Sequence, residues 1–508
     1  MEPRLIRNLT DATQVDGVYI FELDPPGYVR GAGTSIVGML GEFERGPVNE
    51  VISVGSTATF RRIFGSFGKK PPGHTGPWHG YSGFRAIKGK FWPSGLRIVR
   101  PLNDDAERAS RTFDLFDEEP RLIVRARDVG NYGNRIRVSI MQPSDSSLDK
   151  GFSVRVHIDD QAETVENLHV EMDDEELALA TERLSLVKLE WDDTDATDTA
   201  QLPLVAYLEG GADGTPSQEA WSDAIDALMN RREVNVLFHA QPSSPVTNEA
   251  LRAHIKAKVA PPAGTEPFVV AVVHGSPGDD IDDAASKAQL LRADRMIYAW
   301  PHRYQHFSEA VEEDGGKILM PSSDVLASAI ANLDPIFDPA SPDGGRFINA
   351  STVGLEFDSL DRDNYVTANR QGIAALEFDP DLGFRVVSGI TTDLRPDREM
   401  IHVRRTKDYL ITSVARALKN YQNMPITEAW KDDVVGAVEE FLQVQTTGPV
   451  PRVLEYEVDH ESVNDSSTEA QGIFKVLAKV RIPASARFII LLSEIGTSVN
   501  VTAQEDVA

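Results

Sequence analysis

Two histidines four residues apart, His302 and His306 in the run HRYQH, have the spacing at which a helix presents two imidazoles to one zinc ion. No glutamate lies between them and spacing names no third ligand, so two partly exposed histidines is the simpler reading. The string Asp279, Asp280, Asp282 and Asp283 has the charge of a calcium loop. The glycine and terminal glutamate of such a loop are out of place. A helix start with carboxylates on its positive dipole end fits better. The glycine-rich pieces GAGTS (31–35) and EGGADGT (209–215) lack the Gly-Lys-Ser/Thr ending of a phosphate loop, and GAGTS leads into a strand where a phosphate loop would open a helix. Tight turns account for both. No Gly-x-Ser-x-Gly elbow occurs. Candidate Ser, His and Asp residues are plentiful, but nothing in the sequence places them together. We expect no metal, no cofactor and no nucleotide hydrolysis.

The elements that would carry these residues change character along the chain. A polar arm, residues 1–16, leads to Gly17-Val18-Tyr19-Ile20-Phe21-Glu22-Leu23, a β-branched and aromatic strand stopped by Asp24-Pro25-Pro26-Gly27. Its spacing offers no adjacent hairpin partner, so it must pair far away in its own chain or with another chain. Strands are expected at 35–40 and 51–54, then a helix from Ser56 or Thr57 with Phe60, Ile63 and Phe64 on its apolar face. Residues 65–83 read as a surface loop, 84–91 as a helix and 96–100 as a strand. From about 118 to 208 short strands alternate with acidic turns such as 171–176, which suggests an inserted β-rich domain. Residues 216–400 alternate buried apolar strands with helices at 217–231, 247–259 and 283–293, the pattern of an α/β layer with a parallel sheet. A helix over 404–421 is expected to bury Leu410, Ile411, Val414, Leu418 and Tyr421. Another begins near Thr427, with Trp430, Val434, Val438, Phe441 and Leu442 on one side. Strands follow at 453–458 and 472–482, and the last apolar run is Phe488-Ile489-Ile490-Leu491-Leu492.

At 508 residues the chain exceeds what one core usually serves, so two to four domains are expected. It has no cysteine, which excludes disulfides and thiolate metal sites. No uncharged apolar run is long enough for a transmembrane helix, and the N-terminus lacks the apolar region of a secretory signal. We expect folding in a cytoplasm. The formal net charge of −28 repels phosphate, which argues against wrapping nucleic acid or lying on an anionic membrane, and it resists uncontrolled self-association.

Several stretches together resemble the phage contractile tail sheath family, which includes the sheaths of R-type bacteriocins and related contractile injection systems. Gly17-Val18-Tyr19-Ile20, Gly33-Thr34-Ser35-Ile36-Val37-Gly38 and Glu44-Arg45-Gly46-Pro47-Val48-Asn49 look like its opening. Phe60-Arg61-Arg62-Ile63-Phe64-Gly65 and Lys90-Phe91-Trp92-Pro93-Ser94-Gly95 match its next two motifs, the second with one glycine where the family has a pair. Gly130-Asn131-Tyr132-Gly133-Asn134-Arg135-Ile136 and Leu208-Glu209-Gly210-Gly211-Ala212-Asp213-Gly214 are similar to the motifs that open and close the family's inserted domain. Ile401-His402-Val403-Arg404-Arg405, the segment from Trp430 to Gly448, and Ala484 to Leu492 resemble its C-terminal part. The stretches 320–327 and 387–392 depart from the usual pattern. Each motif alone is weak; their shared order across nearly the whole chain makes the match specific.

The resemblance implies a multidomain α/β plus α+β fold. It divides the chain into an N-terminal arm with a linking strand (1–30), a subtilisin-like α/β core without catalysis (31–117 and 209–390), the inserted β-rich outer domain (118–208) and a C-terminal α+β polymerisation domain with a second linking strand (391–508). It implies a non-enzymatic subunit that polymerises as a helical cylinder around a tail tube and contracts to drive the tube through a cell envelope. The linking strands would be Val18, Tyr19, Ile20 and Phe21 at one end and Phe488, Ile489, Ile490 and Leu491 at the other, each joining a neighbour's sheet. A sixteen-residue leash spans roughly 50 Å at about 3.3 Å per residue, enough to reach an adjacent copy. Arg404, Arg405, Lys407, Arg416 and Lys419 against only Asp408 make a candidate basic face for an acidic tube; an ordinary solvated or internally paired face is the alternative. Implied partners are further copies in six-subunit rings, a tube protein, and baseplate and terminator proteins, with no direct nucleic acid and no membrane insertion. The implied location is a virion tail or equivalent particle, made and assembled in a bacterial host's cytoplasm. An α/β hydrolase-like enzyme and a non-contractile tube or baseplate protein are the competing readings.

Overall fold

A computed structural model describes residues 33–65, 95–159, 161–197, 199–231, 233–239, 245–259, 269–306, 317–342, 352–356, 362–379, 383–396 and 398–486. The expected strands at 17–23 and 488–492 and the helix at 84–91 lie outside these residues, as does the 65–83 loop beyond Gly65. Contacts divide the chain into two units, Met1–Phe441 and Leu442–Ala508.

The first unit is built on one sheet. Its first strands are β1 (Val37–Leu40), β2 (Ile52–Val54) and β3 (Leu96–Val99), with helix α1 (Thr57–Phe64) between the last two. Ser56 caps α1 by accepting from the Thr59 N–H, so the side chain satisfies a donor that the first turn leaves open. The chain then leaves the sheet for a β-rich insertion: β4 (Ser110–Phe113), β5 (Pro120–Ala126), β6 (Arg137–Met141), β7 (Gly151–Ile158), β8 (Gln161–His169), α2 (Asp174–Ala180), β9 (Val187–Asp195) and β10 (Leu204–Tyr207). These strands pair antiparallel in two sheets, ordered β10-β6-β7-β8 and β4-β5-β9. Alternate residues, among them Leu122, Val124, Val138, Ile140, Val154 and Val156, fill one common core. The acidic run 171–176 is not a turn. Asp173 accepts from the Glu176 N–H and the Glu176 side chain reaches back, a capping box that starts α2.

The chain returns through α3 (Gln218–Met229), β11 (Val236–His239), α4 (Pro245–Val259), β12 (Val270–His274), α5 (Ile281–Leu290) and β13 (Met296–Trp300). Next come a small sheet of β14 (Arg303–His306), β15 (Lys317–Met320) and β16 (Thr352–Leu355), helices α6 (Ser323–Asn332) and α7 (Arg362–Gln371), and strands β17 (Ile373–Asp379) and β18 (Gly383–Val386). The main sheet is ordered β18-β17-β13-β12-β11-β1-β3-β2, with six parallel strands inside and an antiparallel strand at each edge. Both faces are covered, so its strands read as continuous apolar runs. Val236, Phe238, Val270 and Val272 pack with α1 and α6 on one face. Leu237, Ala271 and Val273 pack with α3, α4, α5 and α7 on the other. Each large side chain buried in this way contributes roughly 1.5–3 kcal/mol. Gly38 is needed for this closeness, since a Cβ there would meet Leu237 Cδ2 at 2.5 Å.

Helix α8 (Ile401–Leu418) begins where its Ile401 enters the sheet core. Its buried residues are mostly polar: His402, Arg405, Thr406, Asp408, Thr412 and Ser413 join Ile401, Leu410 and Ala417, while Ile411 is 50% exposed. The apolar face expected from spacing is therefore incomplete. The helix lies against the N-terminal ends of the sheet strands, where free carbonyls and charged side chains call for polar partners. Helix α9 (Glu428–Gln445) buries Val434, Val438 and Phe441 as its spacing indicates.

The second unit carries β19 (Glu455–Asp459), a short helix α10 (Ser466–Ala470) and β20 (Leu477–Arg481). β19 and β20 pair antiparallel, and Asn464 braces the connection by donating to the carbonyls of His460 and Lys475.

Candidate functional site: a motif junction and an open two-stranded sheet

Three of the motifs singled out in the sequence, far apart along the chain, meet where the insertion joins the sheet. Glu44 is buried in an ion pair with Arg135. The Arg45 guanidinium lies 5.9 Å from the Tyr132 ring centroid, close enough for a cation–π contact, and donates to Gln161 Oε1 at 2.9 Å. The Gly46 N–H donates to Asp128 Oδ2 at 3.0 Å, and Arg100 donates to the carbonyls of Gly46 and Val129. Asp213 accepts from both the backbone and the side-chain amide of Asn131. Asn134 and Gly211 exchange two hydrogen bonds of 2.8 Å. A Cβ on Gly211 would sit 2.6 Å from the Gly130 carbonyl, which is why a small residue is required there. The segments 104–110 and 209–215, leading in and out of the insertion, are bridged at Asp104–Thr215, Glu107–Ala212 and Ser110–Glu209. The 209–215 glycines thus serve turns and close backbone approach. Burial pulls the Arg45 and Arg100 guanidiniums below their ordinary range and pushes the Tyr132 phenol up.

At the other candidate sites the chemistry resolves differently. His302 is buried, and residues 303–306 form strand β14, so the helix that would set His302 and His306 on one face is not there. The His302 ring packs edge-on to His274, centroids 5.5 Å apart. Among the described residues no three His, Cys, Asp or Glu side chains could hold a metal together. Asp280 caps α5 by accepting from the N–H groups of Asp282 and Asp283, as the acidic string indicated. Ser323 Oγ meets His274 Nδ1 at 2.8 Å, the pairing a nucleophile and its base would have. Both residues are 0% exposed, so no substrate carbonyl reaches them in this structure.

Of the basic residues on 404–419, the structure turns two inward. Arg404 donates to Asp408 at 2.6 Å and to Asp294 at 3.1 Å. Arg405 is 6% exposed and donates to the carbonyls of Leu333 and Thr34, burial lowering its pKa to about 10. Asp408 also takes both guanidinium arms of buried Arg295. Lys407 and Arg416 are half-buried and Lys419 is exposed. Spacing alone missed this Asp294–Arg404–Asp408–Arg295 chain of charges. The one acid in a basic run, Asp408, was its signal.

In the second unit the β19–β20 register sorts the side chains by face. Tyr456 opposite Val480 and Val458 opposite Ala478 make an apolar face. On the other face Glu455 pairs with Arg481 at 2.6 Å and Glu457 with Lys479 at 3.2 Å. Among the described residues this sheet has two strands, which hold little of their own core, and none of their ten residues is buried. An isolated two-stranded sheet is marginal in water and gains from added strands. The linking-strand residues Val18, Tyr19, Ile20, Phe21, Phe488, Ile489, Ile490 and Leu491 lie outside the described residues.

No protein-family model matches the chain. A curated relative, the tail sheath protein of Bacillus phage SP01, is 27% identical over 221 residues, a stretch spanning 42% of this chain and 36% of that protein's length. Among solved structures, the sheath tail protein of Desulfitobacterium hafniense superposes with a TM-score of 0.57 at 16% identity, covering 88% of this chain and 94% of that one. The helical sheath of the anti-feeding prophage in its contracted state gives 0.55 at 13% identity, covering 95% and 99%. The sheath complex of the PVC extracellular contractile injection system, also contracted, gives 0.51 at 13% identity, covering 96% and 98%. The fold, a mixed α/β multidomain architecture, is the one these sheath proteins share.

Proposed function

We propose that the chain is the structural subunit of a contractile tail sheath, polymerising as a helical cylinder around a tube and shortening to drive that tube through a target envelope. The observation that carries this reading is the β19–β20 sheet, amphipathic and too small to stand alone. The strand-like segments at 17–23 and 488–492 are what such a sheet would accept from neighbouring copies, by edge addition of main-chain hydrogen bonds and burial against its apolar face. Links of this kind survive rotation of the subunits they join. Likeness in fold to sheath proteins over most of the chain supports the same reading.

Within this proposal residues 391–508 form the polymerisation domain, 118–208 an outer domain and 31–117 with 209–390 a subtilisin-like core that performs no chemistry. The subunits stack in six-membered rings and meet a tube, a baseplate and a terminator, in a particle assembled in the host cytoplasm. Docking on an acidic tube falls to Lys407, Arg416 and Lys419, while Arg404 and Arg405 hold α8 in place. A hydrolase reading predicts turnover by the isolated monomer. The test is Val458→Asp, a charge on the apolar face of the small sheet. Sedimentation of this variant is expected to show folded monomers where the native chain forms cylinders. Cylinders of native yield from the variant would remove the support this sheet gives.

A further inference from the structure

Three buried imidazoles meet at the C-terminal edge of the main sheet. His239 ends β11 and His274 ends β12; their rings lie 4.3 Å apart and tilted by 31°. His302, two residues beyond β13, closes the row against His274. All three are at most 4% exposed. Each of the first two rings holds a helix from a different layer. His239 Nε2 lies 2.6 Å from Asn248 Oδ1 on α4, and Asn248 Nδ2 donates to the His274 carbonyl at 2.9 Å. His274 Nδ1 meets Ser323 Oγ, the first residue of α6. Helix α4 packs in the core on one face of the sheet and α6 in the core on the other. The row therefore ties both helical layers to one sheet edge.

The hydrogen bonds also fix a protonation state. The Asn248 amide nitrogen is committed to a carbonyl, so its oxygen must accept, and His239 Nε2 carries the proton. His239 Nδ1 is then a bare acceptor, buried and with no hydrogen-bond partner among the described residues. A proton added there creates a charge that nothing receives. The titratable and charged groups described at this edge are His274 on β12, Asp279 beside Gly275, His302 and Arg303 after β13, Asp324 on α6, and Glu356, whose N–H donates to the His302 carbonyl. Asp324 is already committed to Arg303 at 2.6 Å, inside the protein. Asp279 accepts from Lys287 and Glu356 from the Gly278 N–H, so each described carboxylate here already has a donor other than His239.

We propose that the His239–His274–His302 row is an acid-sensitive clamp, which holds α4 and α6 to the sheet edge while its rings are neutral and releases that edge when they take up protons. Burial, followed by the partly offsetting Asn248 bond and repulsion from His302, lowers the His239 pKa from 6.5 to about 4. A group whose folded pKa lies below its unfolded value adds stability that is complete above about 6.5 and is lost as pH falls through 4. Between pH 7.5 and 5.5 this favours opening by about tenfold from His239 alone.

The test is hydrogen exchange of the full chain at pH 7.5 and 5.5, corrected for intrinsic exchange rates and kept above the sequence pI of about 4.8. We expect opening at residues 236–239, 270–274 and 323–332 to rise about tenfold at the lower pH. The inserted β-sheets serve as the unshifted internal reference. His239→Gln keeps the donor to Asn248 and cannot titrate, so it is expected to remove most of that rise. No localised rise in the native chain, or an unchanged rise in the variant, would overturn the clamp. Neither outcome bears on sheath assembly, since the measurement uses the unassembled chain.

Discussion

The Asp213 carboxylate accepts from Asn131 twice, from the backbone N–H at 2.8 Å and from the side-chain Nδ2 at 2.9 Å, across 82 residues of sequence. This bond pair ties the way into the insertion to the way out of it. Removing the acceptor leaves both donors unpaired in a half-buried place, at a cost of about 1–3 kcal/mol. Asp213→Ala is therefore expected to lower the denaturation midpoint. Limited proteolysis is expected to cut first at the linkers near 104–110 and 209–215. Cleavage elsewhere at an unchanged rate would mean that the junction does not hold the insertion.

Arg295 and Arg404 converge on Asp408, and the first of these pairs is buried. Asp408→Ala removes the carboxylate that takes both arms of the buried Arg295 guanidinium and is expected to cost about 3–5 kcal/mol in chemical denaturation. Adding Arg295→Met is expected to recover part of that loss, since it removes the buried guanidinium that faced the lost carboxylate, while Arg404 keeps Asp294. Ile411→Ser, on the exposed side of the same helix, is expected to stay within about 0.5 kcal/mol.

Charge reversal at Arg416 and Lys419 tests the proposed grip on a tube. Surface ion pairs contribute about 0–1 kcal/mol each, which suits a contact that must release along its whole length. Extended particles built from the double variant Arg416→Glu, Lys419→Glu are expected to contract at lower salt than native ones. Equal stability to salt would sink the docking proposal while leaving the fold untouched.

Much of this architecture was legible in the sequence because its elements bury one kind of face. The strands at 35–40, 51–54 and 96–100 and the helices at 217–231 and 247–259 coincide with β1, β2, β3, α3 and α4 to within a few residues. Helix α6 was not legible: every residue from Ser323 to Ala331 is buried, so no polar face gives the run a period. Helix α8 misled in the opposite way. Its buried side is polar, since it meets Thr34, Leu333 and Arg295 at the sheet's N-terminal edge, and those partners are distant in sequence. Within the insertion β4 and β8 carry few apolar residues, and β10, though wholly apolar, buries none of its four fully, so spacing alone does not set their bounds. The junction was legible only as separate glycine-rich motifs. That Glu44, Asn131 and Asp213 share one site follows from topology, which spacing does not encode.

Chain ends that complete sheets on other copies are the physical basis of the proposed sheath. The direct measurement is negative-stain microscopy of the chain expressed with its tube partner, with and without residues 1–23. The native chain is expected to give cylinders in a long and a short state, and the truncated chain soluble monomers with the native circular dichroism spectrum. Cylinders of both lengths from the truncated chain would contradict strand exchange through the N-terminal end, and a single fixed length from the native chain would contradict contraction.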